Sequence, residues 1–386
     1  MIPYGRQDIT QADIDAVTAV LHSDFLTQGL VVPAFEKKIA AYGGVAYCVA
    51  VNSATSALHI ACLALGLGPG DVLWTSPITF VASANCARYC GADVDFVDID
   101  PQTCNLSADA LHVKLISASA QGCLPKIIVA VHLAGQSCDM QSIHALAQQY
   151  GVKVIEDASH AIGGKYLGQP IGNCRYSDIT VFSFHPVKII TTAEGGVAVC
   201  NSPELARQMD LLRSHGITRD AALMTHEPDG PWYYQQIDLG FNFRMTEIQA
   251  ALGVSQMDRL DQYVARRHAV ADFYDEKLST LPLTLPRRHP SGYSALHLYI
   301  VRLQLHKTRH SHKQVFEHLR ELGIGVNLHY IPVHLQPYYL KLGFAPGDFP
   351  EAEDYYRTAI SLPMYATLDE ASQSEVVSAL KRVLAE

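Results

Sequence analysis

The chain contains no C-x-x-C pair, which removes a zinc ribbon and a dithiol redox motif from consideration. Its nine cysteines are odd in number, scattered, and confined to the first 200 residues. Reduced, buried thiols are therefore expected instead of a disulfide framework. No stretch approaches the roughly 20 consecutive apolar residues that span a bilayer. No run rich in lysine and arginine offers a stripe for a phosphate backbone, and the formal net charge is −9. Neither nucleic acid nor a membrane is thus expected as a partner. The opening stretch, "MIPYGRQDITQADID", lacks the basic start and apolar run of a signal peptide, so a cytoplasmic location is expected. Four familiar signatures are missing too: G-x-G-x-x-G, a Walker loop, H-E-x-x-H and G-x-S-x-G. No set of side chains reads as a metal site.

Apolar material is plentiful. Hydrophobic residues make up 48% of the 386 and charged residues 17%, and a chain of this length suggests about two domains. Through the first two-thirds, strand-like runs alternate with helical patterns. "AYCVAVN" (46–52), "VLWTSP", "DVDFVDID", "KIIVAVHLAG" and "VKVIEDAS" are such runs. Continuous apolar strands between helices predict an α/β fold with a mostly parallel central sheet, covered by helices on both faces. "SDITVFSF" and "GGVAVC" read as neighbouring strands joined by a loop. Residues 245–278 read as one long amphipathic helix, and "LHLYIVRLQL" as a half-buried, alternating strand. The remainder reads as a smaller α+β region. The division expected is a large domain over 1–260, N-terminal segment included, and a small one over 261–386.

Open α/β sheets bind ligands beyond the carboxyl ends of their strands. Three such ends carry polar groups. Strand 46–52 runs into Asn52-Ser53-Ala54-Thr55-Ser56, where a helix begins and an anion can sit. Strand 153–157 ends in Glu156-Asp157-Ala158-Ser159-His160. Strand 179–184 passes Ser183 and is followed by Lys188, the one lysine of "SFHPVKIITTAEGG". Taken singly, each leaves alternatives open: a helix cap for the first, a metal pair, an acid–base pair or a hydrogen-bonded turn for the second, and a solvated loop charge for the third. Together they match the needs of one cofactor. Pyridoxal 5'-phosphate requires a phosphate cradle, a lysine for its aldehyde and an acid opposite its ring nitrogen. Phe80, at the start of the helix after "VLWTSP", supplies an aromatic ring beside it.

The order of these motifs resembles the nucleotide-sugar aminotransferases of the DegT/DnrJ/StrS type, which are fold type I pyridoxal-phosphate enzymes. The similar stretches include "VNSATSALHIACLALGLGPGD", "VIEDASHAIGGKYLGQPIG", "TVFSFHPVKIITTAEGGVAV", "LGFNFRMTEIQAALG" and "HYIPVHLQPYY". The resemblance implies that Lys188 is the catalytic residue and carries the cofactor's aldehyde. It implies Asp157 at the ring nitrogen, His160 at the ring or its phenolic oxygen, and Phe80 stacked on the ring. Thr55, Ser56 and Ser183 are implied at the phosphate. Asn242 is implied at the phosphate of a neighbouring subunit, in a homodimer with shared active sites. Tyr4, Gly29, His329 and His334 are implied on the sugar side. The family's chemistry implies L-glutamate as amine donor, pyridoxamine phosphate as the intermediate cofactor form and a UDP-keto-sugar as acceptor. "SFHPVK" followed by "TTAEGG" is similar to the branch acting at C4 of a UDP-linked 4-keto-6-deoxy-HexNAc sugar in pseudaminic acid biosynthesis. The alternatives are another keto nucleotide sugar (a 4-keto pentose or a 3-keto hexose) and a non-enzymatic sensor that retains the fold. One departure is Ala54-Thr55, where many members have Gly-Thr.

Overall fold

The computed structural model describes residues 1–385. Seven strands form the central sheet: β1 (Tyr47–Val51), β2 (Val72–Thr75), β3 (Asp93–Phe96), β4 (Ile127–Val131), β5 (Lys153–Asp157), β6 (Ile179–Ser183) and β7 (Gly196–Cys200). Their order is β1-β7-β6-β5-β4-β2-β3, and only β7 runs antiparallel to its neighbours. Helices α1 (Gln11–Leu21) and α2 (Val31–Gly43) precede the sheet. Between its strands come α3 (Ala54–Ala64), α4 (Ala82–Tyr89), α5 (Ala108–Gln121) and α6 (Met140–Tyr150), and after it come α7 (Pro203–Arg213) and α8 (Glu247–Met257).

Strand alternation decides which core each residue joins. Ile127, Val129, Val131 and Ile155 pack with α3, α4 and α7 on one face. Ile128, Ala130 and Val154 pack with α5 and α6 on the other. By the same alternation Asp157 faces α4, whereas Glu156 points away and meets His132 at 2.7 Å. Neighbouring strand ends are thereby committed to different chemistry on the two faces.

The sequence patterns at 245–278 and 296–305 turn out differently from expectation. The long helix is two, α8 and α9 (Leu260–Leu278). They part at Arg259, whose backbone leaves the helical region (φ −111°, ψ 2°) where its guanidinium takes both oxygens of buried Asp13, at 2.6 and 2.7 Å. Strand β9 (Tyr299–Leu303) pairs between β8 (Leu283–Thr284) and β10 (Ala359–Leu362) in an antiparallel sheet. It does not alternate in burial, because both faces are covered. One face packs under α9, α10 (His312–Glu321) and α13 (Glu370–Ala385). The other sets Ile300 against Ile78, Leu133 and Tyr355. Two short helices, α11 (Pro337–Leu340) and α12 (Pro350–Thr358), complete this part.

The N-terminal segment, expected with the large region, is bonded elsewhere. Ile2 exchanges backbone hydrogen bonds with Gly323 and Gly325, and Tyr4 accepts from Met364. The segment adds itself to the edge of the C-terminal part because Gly325 lets two backbones come close. All nine cysteines are free; Cys62, Cys86, Cys90, Cys138 and Cys200 are buried as expected, but Cys48, Cys104 and Cys174 are only partly buried and Cys123 is exposed. Among the described residues no helix is long and apolar enough to cross a membrane.

Gly196 lies abreast of both Val51 and Ser183, directly under the first turn of α3. A Cβ there would sit 2.4 Å from the Ala54 nitrogen and 2.6 Å from its Cα. Neither atom can swing aside, since both are backbone. Gly196→Ala is expected to destabilise the fold by about 1–3 kcal/mol, read as a lower denaturant midpoint. An unchanged midpoint would show that the first turn of α3 yields.

Candidate active site

The site is built where β5 and β6 end and α3 begins. Ser53 caps α3, its hydroxyl accepting from the Ser56 amide at 3.1 Å. Ser56 in turn donates to Asn52 at 2.7 Å. Among the described residues the amides of Ala54 and Thr55 have no acceptor, as the first turn of a helix leaves them. Such an end attracts an anion. Ser183, at the end of β6, is brought alongside through its register with Gly196. Thr55, Ser56 and Ser183 therefore share one corner.

Lys188 stands on a loop closed at its base. Phe184 donates to Gly195, Thr192 donates back to Phe184, and buried Ile189 and Ile190 anchor the turn beyond the lysine. Its amine has no hydrogen bond among the described residues. Burial pulls its pKa down to about 8, partly opposed by the negative charge of Asp157. A lysine shifts this way because the interior disfavours its charged form.

Asp157 is buried, 5% exposed. The Ser83 hydroxyl of α4 donates to its Oδ2 at 2.6 Å and the Ser159 amide to its Oδ1 at 3.1 Å. Thr79 and Ser83 share a further bond at 2.7 Å. His160 is not bonded to Asp157. Its Nδ1 accepts from the Ala134 amide at 3.3 Å, which leaves the proton on Nε2, 3.1 Å from the Tyr330 hydroxyl. His297 lies 4.4 Å from His160, ring to ring. His160, His297 and His329 all have depressed pKa values, first from burial and then from neighbouring cations; His329 falls to about 4. Lys188 is among those cations in all three cases. The Tyr330 hydroxyl is pushed up by burial and then by Asp157.

The structure thus gathers Lys188, Asp157, His160 and His329 with Thr55, Ser56 and Ser183. The Tyr4 ring lies tilted against His329 at 5.3 Å, centroid to centroid, and Phe80, 57% exposed, stands 6.3 Å from Tyr330. Gly29 and Asn242 lie elsewhere on this chain. Gly29 sits against Glu247 and Phe25. Asn242 is exposed, and the residues after it bond to the end of β1. His334 does not join the group: it is fully buried, 3.1 Å from Glu353 and packed on Phe349. A polar packed loop accounts for that histidine. Ser83, His297 and Tyr330 escaped the sequence reading. Tyr330 stands inside "HYIPVHLQPYY", but Ser83 and His297 carry no local signal.

These residues suit pyridoxal phosphate. The unpaired amides of Ala54 and Thr55 lie at the same sheet edge as the Ser183 hydroxyl, a fixed carboxylate keeps acceptor capacity, and Phe80 is exposed. Residues 7–381 match the DegT/DnrJ/EryC1/StrS aminotransferase family. The chain belongs to that family. It is 38% identical to the spore coat polysaccharide biosynthesis protein SpsC of Bacillus subtilis, over 99% of this chain and 97% of that one. It is 36% identical to a UDP-4-amino-4,6-dideoxy-N-acetyl-beta-L-altrosamine transaminase of Campylobacter jejuni, over 96% and 94%. GDP-perosamine synthase of Caulobacter vibrioides is 39% identical over 91% and 89%. Among solved structures, Helicobacter pylori PseC, an aminotransferase of pseudaminic acid biosynthesis, superposes with a TM-score of 0.91 at 32% identity, covering 100% of this chain and 99% of that one. The chain is a pyridoxal-phosphate-dependent sugar aminotransferase acting on nucleotide sugars.

The lowered pKa has a consequence for the cofactor-free protein. Unfolding returns Lys188 to lysine's ordinary 10.5, so the unfolded chain binds more protons between about pH 8 and 10.5. The penalty of burying this amine is full below pH 8 and fades as pH rises toward 10.5. Lys188→Met is expected to stabilise the apoprotein by about 1–3 kcal/mol at pH 7, with the gain shrinking above pH 8. Denaturation at pH 7 and pH 10 checks this; a gain that does not shrink would contradict it.

Proposed function

We propose that this enzyme moves the amine of L-glutamate to the C4 keto group of a UDP-linked 4-keto-6-deoxy-HexNAc sugar, as in pseudaminic acid biosynthesis, and works as a homodimer with shared active sites. The observation that carries the reading is the desolvated Lys188 amine beside the fixed carboxylate of Asp157. The Campylobacter and Helicobacter relatives support the choice of sugar. The exposure of Asn242 supports its use by a partner subunit.

Bound pyridoxal phosphate supplies an electron sink for the carbanion formed at the amine-bearing carbon. Lys188 would hold its aldehyde, and Asp157 its ring nitrogen. Thr55, Ser56 and Ser183 would hold its phosphate, joined by Asn242 from the neighbouring subunit. Phe80 would cover one ring face, with neutral His160 near the other polar edge. Lys188 moves the proton. With a pKa of about 8, about a tenth of its amine is neutral at pH 7 and can accept a proton, and the rest can return one. Tyr4 and His329 line the open side where a sugar would enter, and Gly29 would meet it from a neighbouring subunit. In this reading residues 1–260 form the cofactor-binding domain, its first few residues paired with the C-terminal part, and 261–386 the smaller one.

A second reading, a GDP-linked 4-keto sugar, is favoured by the likeness to GDP-perosamine synthase. Lys188→Ala is expected to abolish turnover and the yellow colour of the purified enzyme. A colourless variant that still transaminates would remove Lys188 from the chemistry. In a substrate panel, the UDP-linked sugar should exceed the GDP-linked one in kcat/KM by about 100-fold or more; the reverse order selects the second reading.

A further inference from the structure

The face of β9 turned toward the large sheet carries Ile300 and Arg302. With Leu133, Leu285 and Leu298 they line a cavity of about 60 Å³, room for about four water-sized groups. None of these residues belongs to the group around Lys188. Arg302 is half-buried; its backbone pairs with Thr284 and Ala359 in the sheet, but among the described residues its guanidinium makes no hydrogen bond or ion pair. Arg287, at the exposed mouth, makes none either. The third arginine, Arg288, is already held by Asp272 and Asp275. The cavity therefore presents an uncommitted, partly dry guanidinium at the end of an apolar wall. A planar carboxylate matches that fork with two parallel hydrogen bonds. The leucine and isoleucine walls suit a short hydrocarbon chain and disfavour a heavily hydrated polyanion.

We propose that this cavity binds a short-chain carboxylate, its oxygens on Arg302 and its carbons against Leu298 and Ile300. Its walls touch the active site. Ala134, beside Leu133, donates its amide to His160, and Tyr355, also lining the cavity, donates to the carbonyl of His329. An occupant would thus lie one hydrogen bond away from two of the site's histidines.

The test is thermal unfolding of the holoenzyme with sodium propionate against sodium chloride at equal ionic strength. A saturable rise in Tm with propionate alone is expected. Arg302→Met should raise the half-saturating concentration about 10-fold or more, as loss of a charge-assisted pair predicts. Leu298→Phe, which fills the cavity and keeps the arginine, should do the same. If Arg302→Met does not fold, Leu298→Phe decides. No propionate-specific rise in the wild type, or equal half-saturation in the folded variants, overturns the proposal.

Discussion

A buried carboxylate, Asp157, sets the terms for everything around it. A charge taken out of water must be paired and hydrogen-bonded or it costs several kcal/mol. Two donors are fixed on it from different elements, the Ser83 hydroxyl of α4 and the Ser159 amide just after β5. The three imidazoles nearby are driven to their neutral forms by burial and by each other's neighbours. They add polar edges to the site without adding charge. What remains to answer the carboxylate is the Lys188 amine, itself reluctant to stay charged where it lies. An acid that holds its place beside a base that readily loses its proton is the division of labour proton transfer needs.

The sheet order explains why those two groups can meet. β5 and β6 are parallel neighbours, with Asp157 abreast of Val181, so the ends of both strands open on the same edge. β7 then returns antiparallel to β6. That reversal lets a single loop leave and re-enter the sheet at the same edge, and Lys188 rides on it. The return also brings Gly196 under α3 with no side chain between. One antiparallel strand in an otherwise parallel sheet thus places the amine and the anion-binding helix end side by side.

Much of this was legible in the sequence, and the physical reasons are plain. The parallel strands read correctly because strands buried on both faces are continuous apolar runs. The candidate residues at β1, β5 and β6 were legible because ligands gather at strand ends. Lys188 could be placed on a loop but not distinguished from a solvated charge until Asp157 and the α3 turn were weighed with it. Other features depend on partners far away in the chain. The break at Arg259 accompanies its pairing with Asp13, which no local pattern announces. β9 fails to alternate because a second layer covers it. Ser83 is an ordinary helix position and His297 an ordinary position just before β9 until the fold sets them beside Asp157 and His160. His334 shows the converse: a histidine in a suggestive motif that burial commits to packing.

The site also depends on how the C-terminal part is held against the central sheet. His297, His329 and Tyr330 all come from beyond α8, yet they stand over the ends of β4 and β5. α9 joins the two cores, with Leu260 and Val264 in one and Val270 and Tyr274 in the other. Midway along it Arg267 is 2% exposed and has no acidic partner. Its Nη1 lies 3.2, 3.1 and 3.0 Å from the carbonyls of Leu296, His297 and Met364. Burial lowers its pKa to about 10, which still leaves it charged at neutral pH. Hydrogen bonds from a charged donor are about twice as strong as neutral ones, and here one goes to the carbonyl of His297 itself and one to its neighbour Leu296. The arginine fixes the backbone of His297, His297 packs on His160, and His160 is bonded to Tyr330. The polar side of the site is therefore positioned by a cation that lies within the connecting helix and takes no part in the chemistry.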